Sequence, residues 1–203
     1  MGSDDLFKKS KAERIFGRKV GTKGKPKDSF LIVCEGKKTE PLYFDSFRVK
    51  TASIKVLGLG CDPLTLVEET INLKSQGTYD QVWCVFDRDN FPEDRVREAF
   101  ELAKKNRIDI AYSNESFELW YLLHFHYYNT ALSRSSYEPI LSNHLGYKYE
   151  KNNPQMYEIL LDRQPTAIKL AEKLLSNYSY DDPIHNNPQT TVHLLVKQLN
   201  IYI

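Results

Sequence analysis

Residues 82–90 read VWCVFDRDN, an apolar run that ends in two carboxylates, Asp87 and Asp89, with Arg88 between them. Earlier in the chain FLIVC runs into Glu35 and Gly36. On an extended chain alternate side chains share a face. Asp87 and Asp89 are therefore expected on one side and Arg88 on the other. In a parallel sheet such strand ends collect at one edge. Carboxylates gathered there repel unless a positive charge lies between them. A hard divalent cation is the natural partner. Mg2+, or Mn2+, suits one or two carboxylates plus the phosphates of a substrate. The competing reading is that Asp87 and Asp89 cap a helix beginning near Pro92, with Glu35 a solvated loop acid.

The elements that must position these acids follow from pattern. FLIVC and QVWCVF are short continuous apolar runs, as in strands covered on both faces. SIKVLGL (53–59) and IDIAYS (108–113) read as two further strands. Between them lie helical patterns: Thr39–Val49 with Thr39 as N-cap, PLTLVEETINLKSQ capped by Asp62 and ended by Gly77, and Phe91–Asn106 started by Pro92. SFELWYLLHF (116–125) is a fourth helix, apolar except for Glu118. The alternation predicts an α/β fold: a mainly parallel four-stranded sheet with helices on both faces. From about residue 127 strand signals fade. Residues 133–145, 153–161, 166–176 and 188–199 read as a helical C-terminal portion, so residues 28–203 form one domain.

Further residues are candidates at the same edge. Lys37 and Lys38 precede a helix N-terminus, a place that favours phosphate; as a phosphate-binding set they are taken with Arg88. A carboxylate at Glu118 is costly in an apolar helix unless paired or facing a metal. Either it joins the site, or it forms a buried salt bridge to Arg88 or Lys38. Ser113 and Asn114, at the end of the fourth strand, are candidates for positioning substrate or for capping. Asn187–Thr191 reads as a helix start, with Thr190 a cap. His124 reads as a core histidine. Tyr147, Tyr149, Tyr178 and Tyr180 cluster in polar turns and are candidates for stacking on unpaired bases.

Composition bounds the partners. Of 203 residues, 41% are hydrophobic and 27% charged, ordinary for a soluble globular protein. No apolar run reaches the ~20 residues of a membrane span, and the N-terminus carries no secretory h-region. Cys34, Cys61 and Cys84 make no even framework and read as reduced thiols of a cytoplasmic protein. The net charge of +1 is unevenly spread: residues 1–27 hold nine Lys or Arg against three Asp or Glu. This basic flexible arm in front of an acidic body points to a polyanion, or serves only to solubilise the chain.

Together LIVCEGKKTE and VWCVFDRDN resemble the Toprim domain of topoisomerases, primases and overcoming-lysogenization-defect nucleases. Four ordered blocks resemble the RloB-like family more specifically: LIVCEGKKTEPLYF, VWCVFDRDN, IAYSNESFELWYLLHF and NPQTTVHLLVKQL. The resemblance spans roughly residues 29–199. It implies a Toprim fold and metal-dependent cleavage of RNA, tRNA included, or DNA. It also implies a role in prokaryotic antiphage defence and abortive infection, beside an ATPase partner of AAA or ABC type. Glu35 corresponds to the family's general acid or base, and Asp87 and Asp89 to its magnesium ligands. Glu40 resembles the second acid of the nuclease branch and would complete a second metal position. The KKTE after the glycine, with no strand-passage or attacking-tyrosine domain, points to hydrolysis rather than topoisomerase chemistry.

Three functions remain open on sequence: a Toprim nuclease, a non-cutting binding or sensor subunit that assembles with an ATPase, and a D-x-D glycosyltransferase. The last leaves Glu35 unexplained.

Overall fold

The computed structural model describes residues 28–178 and 182–203. The basic arm lies outside the described residues. The first eight elements are β1 (Asp28–Cys34), α1 (Thr39–Asp45), β2 (Ala52–Gly58), α2 (Pro63–Ser75), β3 (Gln81–Asp87), α3 (Glu93–Lys105), β4 (Asp109–Asn114) and α4 (Glu118–Leu122). There follow α5 (Arg134–Leu145), α6 (Met156–Leu160), a 3-10 turn (Leu161–Arg163), α7 (Gln164–Leu175), β5 (Gln189–Thr190) and α8 (Val192–Asn200). The strand order is β2-β1-β3-β4-β5, parallel except that β5 runs antiparallel to β4. This is the expected α/β architecture with a helical C-terminal portion.

The apolar runs are continuous because both faces of the sheet are covered. Phe30, Ile32 and Cys34 of β1 join Trp83, Val85 and Ala111 in a core shared with α1, α4, α5, α7 and α8. Leu31 and Val33 turn the other way and pack with Val82, Cys84 and Phe86 against Leu66 and Val67 of α2 and Ala99 and Ala103 of α3. Asp62 caps α2 as expected, accepting from the backbone N–H groups of Leu64 and Thr65, an interaction worth about 1 kcal/mol. The same carboxylate meets Arg95 of α3 at 2.9 Å. All three cysteines are free thiols. No helix among the described residues is long and apolar enough to cross a membrane.

The fifth strand departs from the expected four. Residues 187–191 read as a helix start, yet Gln189 and Thr190 pair with Asn114 and Ser113. Side chains carry this pairing: the Ser113 and Thr190 hydroxyls lie 3.1 Å apart, and the Thr191 hydroxyl accepts from the Tyr112 backbone N–H. A two-residue strand has no periodicity to read. The fourth helix is also shorter than its 116–125 pattern, because every residue of α4 is buried and the apolar run continues beyond the helix as packed chain. α1 stops at Asp45 rather than Val49, with Ser46 as its C-cap.

Candidate functional site

The carboxyl ends of β1 and β3 meet at a cavity of 320 Å³ lined by Glu35, Glu40, Asp87, Asp89, Lys37 and Lys38, together with Arg134 and Lys151 from later segments. The β1–β3 register continues past the strand: the Glu35 N–H donates to Val85 O at 2.8 Å. The Glu35 side chain then turns across to β3, where its Oε2 accepts from the Asp87 backbone N–H at 3.1 Å. This bond aims one carboxylate oxygen and leaves the other toward the cavity.

Asp87 is the last residue of β3 and only 8% exposed. Asp89 does not share its side by strand alternation, as the extended-chain argument supposed. It adopts a φ of 36° in the left-handed region, which Asp tolerates better than most residues. That turn brings the two carboxylates onto one guanidinium. An Arg134 nitrogen, Nη2, lies 2.6 Å from Asp89 Oδ1 and 3.2 Å from Asp87 Oδ2. Neither aspartate caps α3, whose N-cap is Pro92 with no side-chain bond.

Glu40, at the start of α1, is buried and lies against Gly36. A Cβ at Gly36 would run into the Glu40 carboxylate, the far end of a flexible side chain, so alanine there must push that side chain aside. Gly36→Ala is expected to cost about 1 kcal/mol by displacing the buried Glu40 from its rotamer. Adding Glu40→Ala should return most of that loss in thermal unfolding; a single variant as stable as the parent would contradict the contact.

Glu118 also reaches this region. Its Oε1 lies 3.4 Å from Lys151 Nζ and accepts from the Tyr149 hydroxyl at 3.3 Å. The pairing expected with Arg88 or Lys38 is made by Lys151 instead. Burial raises the pKa of both Glu40 and Asp87, and the Glu118 carboxylate adds to that rise. Tyr149 is consumed in this contact and is 2% exposed, which removes it from the surface tyrosines. Tyr178 bonds Pro188 O, Tyr147 is exposed, and Tyr180 lies outside the described residues.

The other candidates fall elsewhere. Lys37 and Lys38 line the cavity as exposed side chains. Arg88 points away from Asp87, its Nη1 bonded to Asp89 O and Phe91 O at 2.9 and 2.8 Å. Ser113 faces Thr190, and the Asn114 amide donates to Asn186 O at 3.0 Å. His124 is buried, its Nδ1 2.9 Å from Trp120 O, as expected of a core histidine. Arg134 and Lys151 were not legible. Both stand in polar stretches, SRSSYEP and KYEKNNP, where a functional cation looks like a solvated one.

Electrostatically the edge is a concentration of acid. Burial pushes Glu35 up to about 7; the Asp87 N–H opposes that rise, and Asp89 and Glu40 add to it. Burial likewise raises Asp87 well above the usual carboxylate range, reinforced by Glu40, Glu118 and Glu35 and opposed by Arg134. A carboxyl raised on folding stabilises the fold while protonated and loses that contribution as pH climbs through its folded pKa. For Glu35 that loss begins near its ordinary value of 4.5 and is complete just above pH 7. Burial holds His124 and His193 near 4, and their opposite effect is complete above about pH 6.5. Between about pH 6.5 and 8 the metal-free chain should therefore lose about 2–4 °C in Tm. Glu35→Gln should flatten that slope, and an unchanged slope would contradict a raised Glu35.

Among the described residues, no three His, Cys, Asp or Glu side chains converge as a ready-made metal cage. The donors nonetheless fit a hard cation. All are carboxylate oxygens, and Arg134 already bridges two of them as a stand-in positive charge. Such a set matches an ion that keeps several waters and takes one or two carboxylates plus substrate phosphates, rather than one held in an all-protein cage.

The family model described as RloB-like protein matches residues 30–199. Comparison with curated proteins and with solved structures returns no match.

Proposed function

The chain belongs to the RloB-like family, and from that membership and the carboxylate edge we propose a Mg2+- or Mn2+-dependent nuclease that hydrolyses phosphodiester bonds of RNA or DNA. The observation that carries this reading is the bridging of Asp87 and Asp89 by one guanidinium at 3.2 and 2.6 Å. Two strand-terminal carboxylates hold a positive charge at the mouth of a cavity whose rim carries Lys37, Lys38 and Lys151.

Asp87 and Asp89 would hold the cation, with Glu40 and Glu118 behind them setting the negative field. A bound divalent ion would polarise the phosphoryl oxygens and lower the pKa of a bound water. Glu35, pushed up to about 7, is matched to moving a proton near neutral pH, where acid–base catalysis works best. The Asp87 N–H holds one of its oxygens still and leaves the other for the attacking water or the leaving group. Lys37 and Lys38 would meet flanking phosphates as point charges.

Resemblance to defence proteins extends the proposal to an effector of antiphage immunity that works beside an ATPase. The alternative is a non-cutting binding or sensor subunit. It is favoured by Arg134 occupying the aspartates, because a guanidinium seated there keeps a metal out. Incubating the purified chain with total tRNA, single-stranded DNA and plasmid, with Mg2+ or Mn2+ and with chelator, separates the two. Metal-dependent cuts support the nuclease. Intact substrates, with the ATPase partner present as well, support the binding subunit.

A further inference from the structure

A second cavity of 340 Å³ adjoins the first, sharing Asp89 and Arg134 as the wall between them. Unlike the acid cavity, it is furnished with flat groups and amides. The Arg88 guanidinium is fixed in its lining by Asp89 O and Phe91 O. The His185 ring stands in the same lining, its Nδ1 2.9 Å from Asp182 Oδ2. Asn90 is an exposed amide at the cavity, and Asn187 presents a buried Oδ1 with no hydrogen-bond partner.

The chain has built this wall deliberately from β4. The Asn114 amide donates to Ile184 O and Asn186 O at 3.4 and 3.0 Å, and the Tyr112 hydroxyl donates to Pro183 O. All three bonds hold the 183–187 loop over the strand end. Asn114 is thus a positioning residue.

We infer that this cavity takes an unpaired nucleobase, that of a nucleotide beside the phosphate that a cation at Asp87 and Asp89 would hold. The inference rests on the nuclease reading and narrows it to single-stranded or extruded nucleic acid. Guanidinium and imidazole planes stack on bases, and amides bond their edges once those are free of pairing. The exposed Asn90 amide supplies both a donor and an acceptor for a base edge. A paired base in a duplex cannot present its Watson–Crick edge here, whereas a splayed one reaches the cavity while its phosphate stays at the aspartates.

The test is equilibrium binding of the full chain, in chelator so that no cutting occurs, read by fluorescence anisotropy. The probes are a short labelled oligo(dA), an abasic strand of the same length, and the duplex. His185→Ala and Asn90→Ala change exposed side chains, so loss of fold does not confuse the reading. Each should weaken oligo(dA) binding about fivefold or more and leave abasic-strand and duplex binding unchanged. Equal weakening of all three probes, or of none, overturns the base site while leaving the nuclease reading intact. Failure of the parent chain to bind any of the probes overturns the base site, whereas the nuclease reading is tested separately by metal-dependent cleavage.

Discussion

Asp87→Asn is expected to reduce metal-dependent cleavage about a thousandfold or more while raising the Tm of the metal-free chain. Both effects have one cause. Asp87 closes β3 at 8% exposure, with its carboxyl raised by burial and then by Glu40, Glu118 and Glu35. Keeping it ionised at neutral pH opposes folding, because a carboxyl raised on folding stabilises only while protonated. Asparagine keeps the shape and removes the charge. Arg134 is not orphaned, since Asp89 remains 2.6 Å away. A gain of about 1 kcal/mol would appear as about 2–4 °C, and it should shrink as pH falls and the native carboxyl takes up its proton. On the proposed nuclease reading, the cleavage loss follows from removing one of the two carboxylates that would hold the cation, a contribution of several kcal/mol to the transition state. Active-site residues commonly trade stability for function in this way. Wild-type cleavage in the variant would remove Asp87 from the chemistry. Lost cleavage with a lowered Tm would mean a damaged fold instead.

Arg134→Ala is expected to act in the opposite sense on metal. The guanidinium occupies Asp87 Oδ2 and Asp89 Oδ1, the same oxygens for which the proposed divalent ion would compete. Without the arginine the metal-free chain leaves both carboxylates uncompensated. Arg134 has a side chain 43% exposed, so solvent screening limits the loss to about 1 kcal/mol. Mn2+ should bind about tenfold tighter, because displacing the guanidinium no longer costs roughly 1.4 kcal/mol of ion pairing. Titration calorimetry measures the affinity and thermal unfolding the stability. Unchanged or weaker Mn2+ binding would show that Arg134 does not stand where the ion goes.

Much of this site was legible because sheet topology does the placing. FLIVC and QVWCVF could be read as buried parallel strands, and parallel strands deliver their ends to one edge. Glu35, Asp87 and Asp89 therefore come together, and Glu40 and Glu118 fall behind them. What stayed illegible depends on contacts rather than period. The antiparallel pairing of Gln189 and Thr190 is set by the Ser113 and Thr191 hydroxyls, far apart in sequence. The left-handed turn at Asp89 replaces the simple alternation of Asp-x-Asp, and no neighbouring glycine announces it. Arg134 and Lys151 arrive on polar segments that pattern cannot tell from solvated surface. Tyr149 sits in a polar turn yet is buried on Glu118, because a hydroxyl there gives the carboxylate a partner.

The carboxylate edge is proposed to hold a divalent cation. Titrating the metal-free chain with Mn2+, and reading occupancy directly by loss of the free-ion paramagnetic resonance signal, tests it without requiring substrate or partner. Saturable binding is expected, strengthening as pH rises through about 7, where Glu35 loses its proton, and abolished in Asp87→Asn. Binding unaffected by that substitution, or no binding at all, would contradict it.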